Sequence, residues 1–235
     1  MTDIHCHILP NVDDGSSSWE ETLDMARCAV SDGIRQVYCT PHMNSETDPL
    51  SRLAEHEDLL GNVQLRLAGE GIDLHLLSGA EWMLTPDLLD VVIEKGRLGT
   101  SRAFLFELSP FMPPVIAESL VSDVVRAGLC PIMAHPERHP WLTEKNCDAL
   151  KKLVGTGCFL QITAGSLTND FGKQARRTGE CLVRMFPDAV LLASDAHNMR
   201  GRKPLLRKGY DALDTLKPGL ADQVERTLND ILRSE

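Results

Sequence analysis

The sequence predicts an α/β protein whose parallel strands are covered by helices and close into a barrel. Short apolar runs alternate with amphipathic helical segments along the whole chain, and about seven such units fit into 235 residues. Regular alternation of strands and helices is typical of parallel strands with the helices outside. This number of units favours a closed barrel over an open sheet, and the length favours one domain spanning residues 1–235.

The predicted strands are the short apolar runs. They are Thr2–His5, Gln36–Thr40, Leu74–Ser78, Ala103–Leu108, Cys130–Ala134, Phe159–Ile162 and Val190–Ser194. The helix after the first strand has a clear start, because Ser18 and Glu21 have the spacing of a capping box, and Gly33 is expected to end it. Two further helical segments are predicted at Pro49–Glu70 and Leu220–Leu232, and the latter carries its apolar residues on one side.

The composition narrows the function classes. A net charge of −10 argues against a nucleic-acid-binding protein or one that binds anionic membranes. We find no signal peptide and no apolar run long enough to span a bilayer, so no membrane insertion is expected. The seven cysteines form no C-x-x-C pair, which is typical of reduced thiols and predicts a cytoplasmic protein. We expect Cys6 to pack in the core, on the strand face opposite His5 and His7.

Polar side chains lie at or just after the end of nearly every predicted strand. They are five histidines and four acids, namely His5, His7, Asp14, His42, Glu81, Glu107, His135, Asp195 and His197. The carboxyl ends of barrel strands meet on one face, so these side chains are expected to lie together. The sequence has only eight histidines, and a random distribution would not place five of them at strand ends.

The residue types in this set predict a metal centre. Imidazoles and carboxylates without cysteine suit Zn²⁺, Mn²⁺ or Fe better than Ca²⁺ or a thiolate site. Nine ligands exceed the coordination of one ion, but bridging carboxylates would accommodate two or three divalent ions about 3.5–4 Å apart. Such a centre lowers the pKa of a bridging water and supplies hydroxide at neutral pH.

Each of these residues also has a purely structural explanation. Glu107 could be a buried, hydrogen-bonded acid, although an unpaired buried carboxylate is costly. Asp14 could belong to a turn with the neighbouring Asp13 and Gly15. The Asp195–His197 segment could be a strand end with a cap. Recurrence at nearly every strand end favours the metal centre for the set as a whole.

Two arginines follow the predicted ligands closely. Arg138 and Arg202 come three and five residues after a histidine of the set, and guanidinium groups beside metal ions bind the non-bridging oxygens of phosphate. The alternative is surface charge, because the stretch Met199–Lys208 is basic throughout. A solvated loop explains the other basic residues of that stretch adequately. His139, directly after Arg138, is ambiguous and is left out of the predicted site.

At this point the motifs resemble a known family. In order, "DIHCHILPNVDDGSSSWEET", "TPH", "GAE", "FELS", "AHPERH" and "ASDAHN…GR" are similar to bacterial protein-tyrosine phosphatases of the polymerase-and-histidinol-phosphatase (PHP) superfamily. These phosphatases belong to capsule and exopolysaccharide gene clusters. The resemblance runs from Asp3 to about Pro204. It implies a distorted TIM-like (β/α)7 barrel, a trinuclear centre that often depends on manganese, and dephosphorylation of the tyrosine-rich tail of a cognate tyrosine autokinase.

The resemblance also implies residue roles. The implied grouping is His5, His7 and Asp195 at one ion, Glu81, Glu107 and His135 at a second, and Asp14, His42 and His197 at a third, with Glu81 bridging the first two. Arg138 and Arg202 match the family's phosphate-contacting arginines. The pair Met43–Asn44 departs from the polar or basic residues expected there, which bears on substrate affinity and not on metal binding.

Other functions remain as alternatives. A cysteine-based tyrosine phosphatase is excluded, because no cysteine is followed by Arg six positions later. Nucleotide-binding loop motifs are absent from the sequence. A small-molecule phosphoesterase such as histidinol-phosphate phosphatase would use the same ligands, and a non-catalytic partner would bind phosphotyrosine without turnover. An amidohydrolase-like C–N hydrolase would usually need a lysine or a histidine pair where Glu107 stands. A homo-oligomer is compatible with the sequence.

Overall fold

Every strand pair in the structure is parallel, which confirms the predicted α/β class. The structure is a computed structural model that describes residues 1–43, 48–112 and 114–233, so Asn44 of the predicted departure lies outside the described residues. The strands of the described part are Thr2–Cys6 (β1), Gln36–Cys39 (β2), His42–Met43 (β3), His75–Ser78 (β4), Glu81–Met83 (β5), Ala103–Glu107 (β6), Cys130–Ala134 (β7), Phe159–Thr163 (β8) and Val190–Ala193 (β9).

Helices connect the strands and cover them. Within the same described ranges they are Trp19–Asp32 (α1), Pro49–Gly69 (α2), Leu88–Glu94 (α3), Pro114–Arg126 (α4), Lys151–Gly155 (α5), Ala164–Leu167 (α6), Gly172–Met185 (α7), Arg207–Leu216 (α8) and Leu220–Leu232 (α9). Two short 3-10 turns are formed by Pro136–Arg138 and Cys147–Leu150. None of the helices described is both long enough and apolar enough to cross a membrane.

The strands are arranged in two hydrogen-bonded sheets. One sheet has the order β1-β2-β4 and the other the order β3-β5-β6-β7-β8-β9. The chain passes from β2 into β3 and from β4 into β5 after two intervening residues, so both sheets share these segments. Next to β9, Cys6 forms a bridge with Ala196, and the Asp195 amide donates to the His5 carbonyl at 2.8 Å. The strand order therefore returns to β1, through this short link and not through a regular ladder.

All seven predicted strands are present, but β3 and β5 were not predicted. These two strands have only two and three residues, too few for an alternation pattern to be visible. Pro41 separates β3 from β2, and a proline has no N–H to continue the ladder. The interruption matters for the site, because His42 and Glu81 are the first residues of β3 and β5 and pair with each other in register.

Helix α1 begins as predicted, with one difference. Ser18 Oγ accepts a hydrogen bond from the Glu21 amide at 3.1 Å, and Gly33 ends the helix in the left-handed conformation at φ 97°. The Glu21 carboxylate does not return to the Ser18 amide, as a full capping box would require. It accepts instead from the amide and hydroxyl of Ser17, at 3.0 and 2.7 Å.

The core lies on both faces of the strands. In β6, Phe104 and Phe106 pack towards the helices, whereas Leu105 points to the opposite face and joins Ile4 and Leu228 of α9 in a second apolar cluster. Strands that are buried on both faces have nearly continuous apolar sequences, and for this reason they could be predicted from the sequence. Cys6 is fully buried in the main cluster, as expected for a packing residue.

Candidate metal centre

The structure brings all nine predicted ligand side chains together. They fall into four groups whose ligand atoms lie within 4.8 Å of one another. The groups are His7, Asp14, His42 and His197; His5, His7 and Glu81; His5, His135 and Asp195; and His42, Glu81 and Glu107. The groups share residues: His135 lies near His5 and Asp195 and also 2.7 Å from Glu81, and Glu81 in turn lies near Glu107, so the implied division of ligands among three ions stays a prediction.

Glu81 lies at the middle of the cluster and is fully buried. Its Oε2 is 3.1 Å from His5 Nε2, 3.3 Å from His7 Nε2 and 3.0 Å from His42 Nδ1, while its Oε1 is 2.7 Å from His135 Nε2. Burial raises the pKa of Glu81, but His5 and the other imidazoles outweigh it and hold that pKa well below its usual value. The two oxygens of this carboxylate thus face four imidazoles, one at Oε1 and three at Oε2, an arrangement suited to a bridging carboxylate.

Asp195 links the cluster to the two arginines. Its Oδ1 lies 3.3 Å from His5 Nε2, and its Oδ2 accepts hydrogen bonds from Arg202 Nη2 at 2.6 Å and from Arg138. Asp195 and His135 both have positive φ, at 52° and 33°, a region that non-glycine residues rarely occupy. Such backbone strain is concentrated at functional sites, where it costs about 1–3 kcal/mol per residue.

Asp14 and Glu107 complete the cluster from its outer side. Asp14 Oδ1 lies 3.4 Å from both His42 Nε2 and His197 Nε2, although the Asp14 side chain is 64% exposed. Glu107 Oε1 lies 3.7 Å from His42 Nδ1. Burial and the nearby negative charge of Glu81 raise the pKa of Glu107. Crowded carboxylates of this kind are stabilised when cations lie between them.

The imidazoles differ in the direction of their pKa shifts: the pKa is raised for His5 and His42 and lowered for His197. Burial lowers the pKa of His5, but the charges of Glu81 and Asp195 outweigh it and raise the pKa to about 9. His42 has a pKa raised to about 9 in the same way, mainly through Glu81. Burial and the neighbouring His7 lower the pKa of His197 to about 3. The negative charge of Glu81 and Asp195 therefore favours positive charge among these rings, as it would favour a bound cation.

The donor set fits divalent metal ions. Four ligand atoms of the cluster are buried and form no hydrogen bond in the described part of the chain, although neighbouring ligand atoms lie close by. They are Glu81 Oε2, Asp195 Oδ1, His42 Nδ1 and His197 Nε2. A buried polar atom left unsatisfied costs about 1–3 kcal/mol, and coordination of a cation would remove that cost. Nitrogen and oxygen donors in this proportion suit Mn²⁺, Fe²⁺ or Zn²⁺.

Two residues that orient the histidines were missed from the sequence. His7 Nδ1 donates to Asp13 Oδ2 at 2.7 Å, and His5 Nδ1 donates to Gln161 Oε1 at 2.8 Å. Each contact fixes the ring so that its Nε2 faces the cluster. The hydrogen bond from His7 holds the pKa of Asp13 well below its usual range despite burial. A polar Gln161 inside an apolar strand was the signal that could have identified it.

Gly15 allows the Asp13 loop to approach His7. A Cβ at Gly15 would lie 2.3 Å from the His7 carbonyl oxygen, too close for any side chain. The Gly15 amide donates to Asp13 Oδ1 at 2.9 Å, and the His42 amide donates to Asp13 Oδ2 at 3.0 Å. Asp13 therefore joins the first loop to β3, in addition to orienting His7.

Arg138 and Arg202 lie beside the cluster, as predicted, and share an aromatic neighbour. The Cζ atoms of Arg138 and Arg202 are 4.7 and 5.9 Å from the centroid of the Phe171 ring. The Nε atoms of both arginines are buried and have no hydrogen-bond partner among the described residues. Two planar groups with unused donors next to a ligand cluster are suited to bind the oxygens of a phosphate. Phe171 gave no signal in the sequence.

Glu137 connects the turn carrying Arg138 to the segment that precedes Phe171. It is 1% exposed, and its Oε1 accepts from the Thr163 amide at 3.0 Å and from Ser166 Oγ at 2.7 Å. This contact holds the turn Pro136–Arg138 against the start of α6. His139, left out of the predicted site, lies outside the four groups with its ring 4.7 Å from that of Trp141.

Metal-dependent phosphoesterase is the class that accounts for both the parallel strand architecture and a ligand cluster flanked by arginines. Comparison with known protein families identifies one family within that class. Residues 1–226 match the family model described as capsular polysaccharide synthesis, CpsB/CapC. The chain belongs to the CpsB/CapC family.

Individual relatives agree with the family assignment. The tyrosine-protein phosphatase YwqE of Bacillus subtilis is 38% identical over 210 residues, which cover 86% of this chain and 79% of YwqE. The tyrosine-protein phosphatase CpsB of Streptococcus pneumoniae is 30% identical over 224 residues, covering 91% of this chain and 89% of CpsB. A chain from the crystal structures of YwqE and CpsB, described as unique metal-dependent tyrosine phosphatases, superposes with a TM-score of 0.89 at 32% identity, covering 100% of this chain and 95% of that one.

Proposed function

We propose that this chain is a metal-dependent protein-tyrosine phosphatase of one domain spanning residues 1–235, with two or three divalent ions in its cluster. The observation that carries the proposal is the buried Glu81 carboxylate, which lies within 3.3 Å of four imidazoles beside two arginines. Mn²⁺ is the ion we favour over Fe²⁺ and Zn²⁺, in line with the family resemblance. When bound, the ions would supply an activated water and positive charge for phosphoryl oxygens.

The residues that would hold the ions are the nine side chains of the four groups. Glu81 belongs to two groups and is the best-placed bridge between them. His5, His7 and His42 also each belong to two groups, so neighbouring ions would lie close together. Asp13 and Gln161 would keep His7 and His5 in the tautomer that offers Nε2 to an ion.

Arg138 and Arg202 would bind the phosphate of the substrate. Each guanidinium has a buried Nε that forms no hydrogen bond in the described residues, and Phe171 packs against both planes. In phosphoryl transfer, negative charge spreads over the equatorial oxygens, and donors already held in place stabilise it. The departing phenolate needs little assistance, because the phenol of tyrosine has a pKa near 10.

The substrate we propose is phosphotyrosine in the tail of a cognate tyrosine autokinase that controls capsular or exopolysaccharide synthesis. The family's role in capsular polysaccharide synthesis and the tyrosine-phosphatase relatives support this choice. The cytoplasm is the compartment we propose, and the seven cysteines, all free thiols, support it. A small-molecule phosphoesterase or a non-catalytic phosphotyrosine-binding protein is less well supported, since close relatives are protein phosphatases.

The test is a metal add-back assay. Metal-stripped protein would be assayed with a tyrosine-phosphorylated peptide and with histidinol phosphate, after addition of Mn²⁺, Fe²⁺ or Zn²⁺. We expect metal to restore turnover of the peptide and the variant His5→Ala/His7→Ala to abolish it. A matched control is His75→Ala, because His75 is exposed and outside all four groups.

The other outcomes separate the alternatives. Preference for histidinol phosphate would keep the metal chemistry and assign the chain to small-molecule metabolism. Binding of the phosphopeptide without turnover at any metal concentration would contradict the hydrolase proposal and leave a binding module.

A further inference from the structure

A cavity opens beside Arg202, next to the proposed phosphate-binding site. It has a volume of about 290 Å³ and lies between the α6–α7 segment and the stretch from residue 200 to α8. Its lining includes Phe171 and four basic residues, Arg200, Arg202, Lys203 and Lys208. Arg202 of this lining is also one of the two proposed phosphate-binding arginines, and Phe171 packs against both of them. The cavity is therefore continuous with the proposed active site.

The positive charge of this cavity is only partly offset by carboxylates of the protein, since Arg202 pairs with Asp195 and Arg200 interacts at longer range with Glu21. No carboxylate of the described residues lies within 4 Å of the charged groups of Arg200, Lys203 or Lys208, and Arg202 pairs only with Asp195. Asp170 is the one acidic residue of the lining, and its Oδ2 accepts a hydrogen bond from the Thr168 hydroxyl at 2.8 Å. Concentrated positive charge is unexpected on a chain of net charge −10, and it attracts anions.

The basic stretch has exposed Arg200, Lys203 and Lys208 side chains, as the solvated-loop interpretation expected, but its backbone is held in place. Asn198 Oδ1 accepts from the amides of Arg200, Gly201 and Arg202 at 3.0, 3.0 and 3.4 Å. At the other end, Asp32 Oδ2 accepts from the amides of Leu206 and Arg207 at 2.6 and 2.9 Å. The backbone that carries Lys203 is therefore held on both sides.

We propose that this cavity binds a second acidic group of the same substrate, next to the phosphotyrosine whose phosphate lies on Arg138 and Arg202. The inference rests on the proposed function and specifies its substrate class as peptides with an acidic group close to the phosphotyrosine. That group is a carboxylate or a second phosphate, since both are anions that can form ion pairs with Lys203 and Lys208. Neighbouring residues of a peptide are about 3.8 Å apart, so the group belongs to a residue near the phosphotyrosine.

The experiment compares charge-reversed variants on a peptide panel. The panel contains one phosphotyrosine flanked by neutral residues, by glutamates, by a second phosphotyrosine or by lysines, together with p-nitrophenyl phosphate. The variant is Lys203→Glu/Lys208→Glu, and the matched control Lys151→Glu/Lys217→Glu changes the net charge equally. Lys151 lies on α5 and Lys217 follows the far end of α8, and neither lines the cavity.

We expect the Lys203→Glu/Lys208→Glu variant to lose about tenfold in kcat/KM on the glutamate-flanked or doubly phosphorylated peptide, to gain on the lysine-flanked peptide, and to keep its rate on p-nitrophenyl phosphate. The loss should shrink at 1 M salt, where screening acts within about 3 Å. The glutamate and second-phosphate arms show which acidic group is preferred.

Equal kcat/KM for acidic and neutral peptides in the wild type, or an equal loss on all substrates in the variant, would overturn the inference while leaving the phosphatase proposal intact. If the wild type with metal fails on every phosphotyrosine peptide, the proposed function itself fails.

Discussion

Asp13 shows how much a single side chain outside the ligand set contributes to the cluster. It accepts from His7 Nδ1 at 2.7 Å and from two backbone amides, so it fixes a ring and a loop together. The sequence analysis predicted Asp14 as a ligand and considered Asp13 only as its neighbour in a turn. Two adjacent carboxylates cannot be told apart by spacing, because the direction of each side chain depends on the turn around Gly15.

The variant Asp13→Ala tests this role at the residue scale. Loss of the acceptor would free the His7 ring, and removal of such an orienting carboxylate typically costs about 10–100-fold in metal affinity. We expect a drop of that size in Mn²⁺ affinity by calorimetry. Asp24→Ala, an exposed carboxylate on α1, is the control. Unchanged affinity in Asp13→Ala would show that His7 is held by other contacts.

Phe171 is a positioning residue for the two arginines. A cation–π contact is worth about 0.5–2 kcal/mol, so Phe171→Ala should lower kcat/KM on phosphotyrosine peptide about fivefold. Because Phe171 belongs to none of the four ligand groups, the metal content should stay constant, and p-nitrophenyl phosphate should be affected as strongly as the peptide. Phe171→Tyr, which keeps the ring, should retain activity. A loss of metal in Phe171→Ala would contradict this assignment.

At the scale of elements, the strand ends could be read from the sequence, but the connections between them could not. Polar residues at or after the ends of apolar runs predicted the nine side chains that the structure brings together. The short strands β3 and β5 escaped detection because His42–Met43 and Glu81–Met83 are held by pairing with distant segments. The contact between Arg138 and Phe171 was not predicted either, because it depends on how α6 and α7 pack against the turn after β7.

The turn Pro136–Arg138 depends on Glu137 for its attachment to α6. Glu137→Ala would leave the Thr163 amide and the Ser166 hydroxyl without their acceptor in a buried site, at a cost of about 2–3 kcal/mol. For a chain of this size we expect the Tm to fall by about 5–10 °C. Glu137→Gln keeps an oxygen acceptor and should lose much less. Equal Tm values for the two variants would show that the hydrogen bonds do not stabilise the turn.

For the whole molecule, ligand side chains from distant parts of the chain must converge before an ion can bind one of the groups. The unfolded chain lacks that arrangement, so metal binding should stabilise the fold by about 2.7 kcal/mol per site at a hundredfold excess over Kd. We expect Mn²⁺ to raise the Tm in a thermal unfolding experiment and EDTA to reverse the shift. In His5→Ala/His7→Ala the shift should largely disappear, and its persistence would mean that the ions bind elsewhere.

The division of ligands among ions is also a property of the whole molecule. The family resemblance implies that His135 shares an ion with Glu81 and Glu107, and in the structure His135 Nε2 lies 2.7 Å from Glu81 and also near His5 and Asp195. Sequence order cannot settle which ligands share an ion, because each group combines residues from separate parts of the chain whose spacing depends on how the strands are arranged. We propose that these groups hold two or three ions around Glu81.

The most direct measurement of that claim is anomalous X-ray scattering at the manganese edge from crystals of the protein grown with Mn²⁺. We expect two or three peaks, each within about 2.0–2.4 Å of the nitrogen or oxygen atoms of one group, with Glu81 ligating two of them. A single peak, or peaks that leave Glu81 and His5 without an ion, would contradict the account.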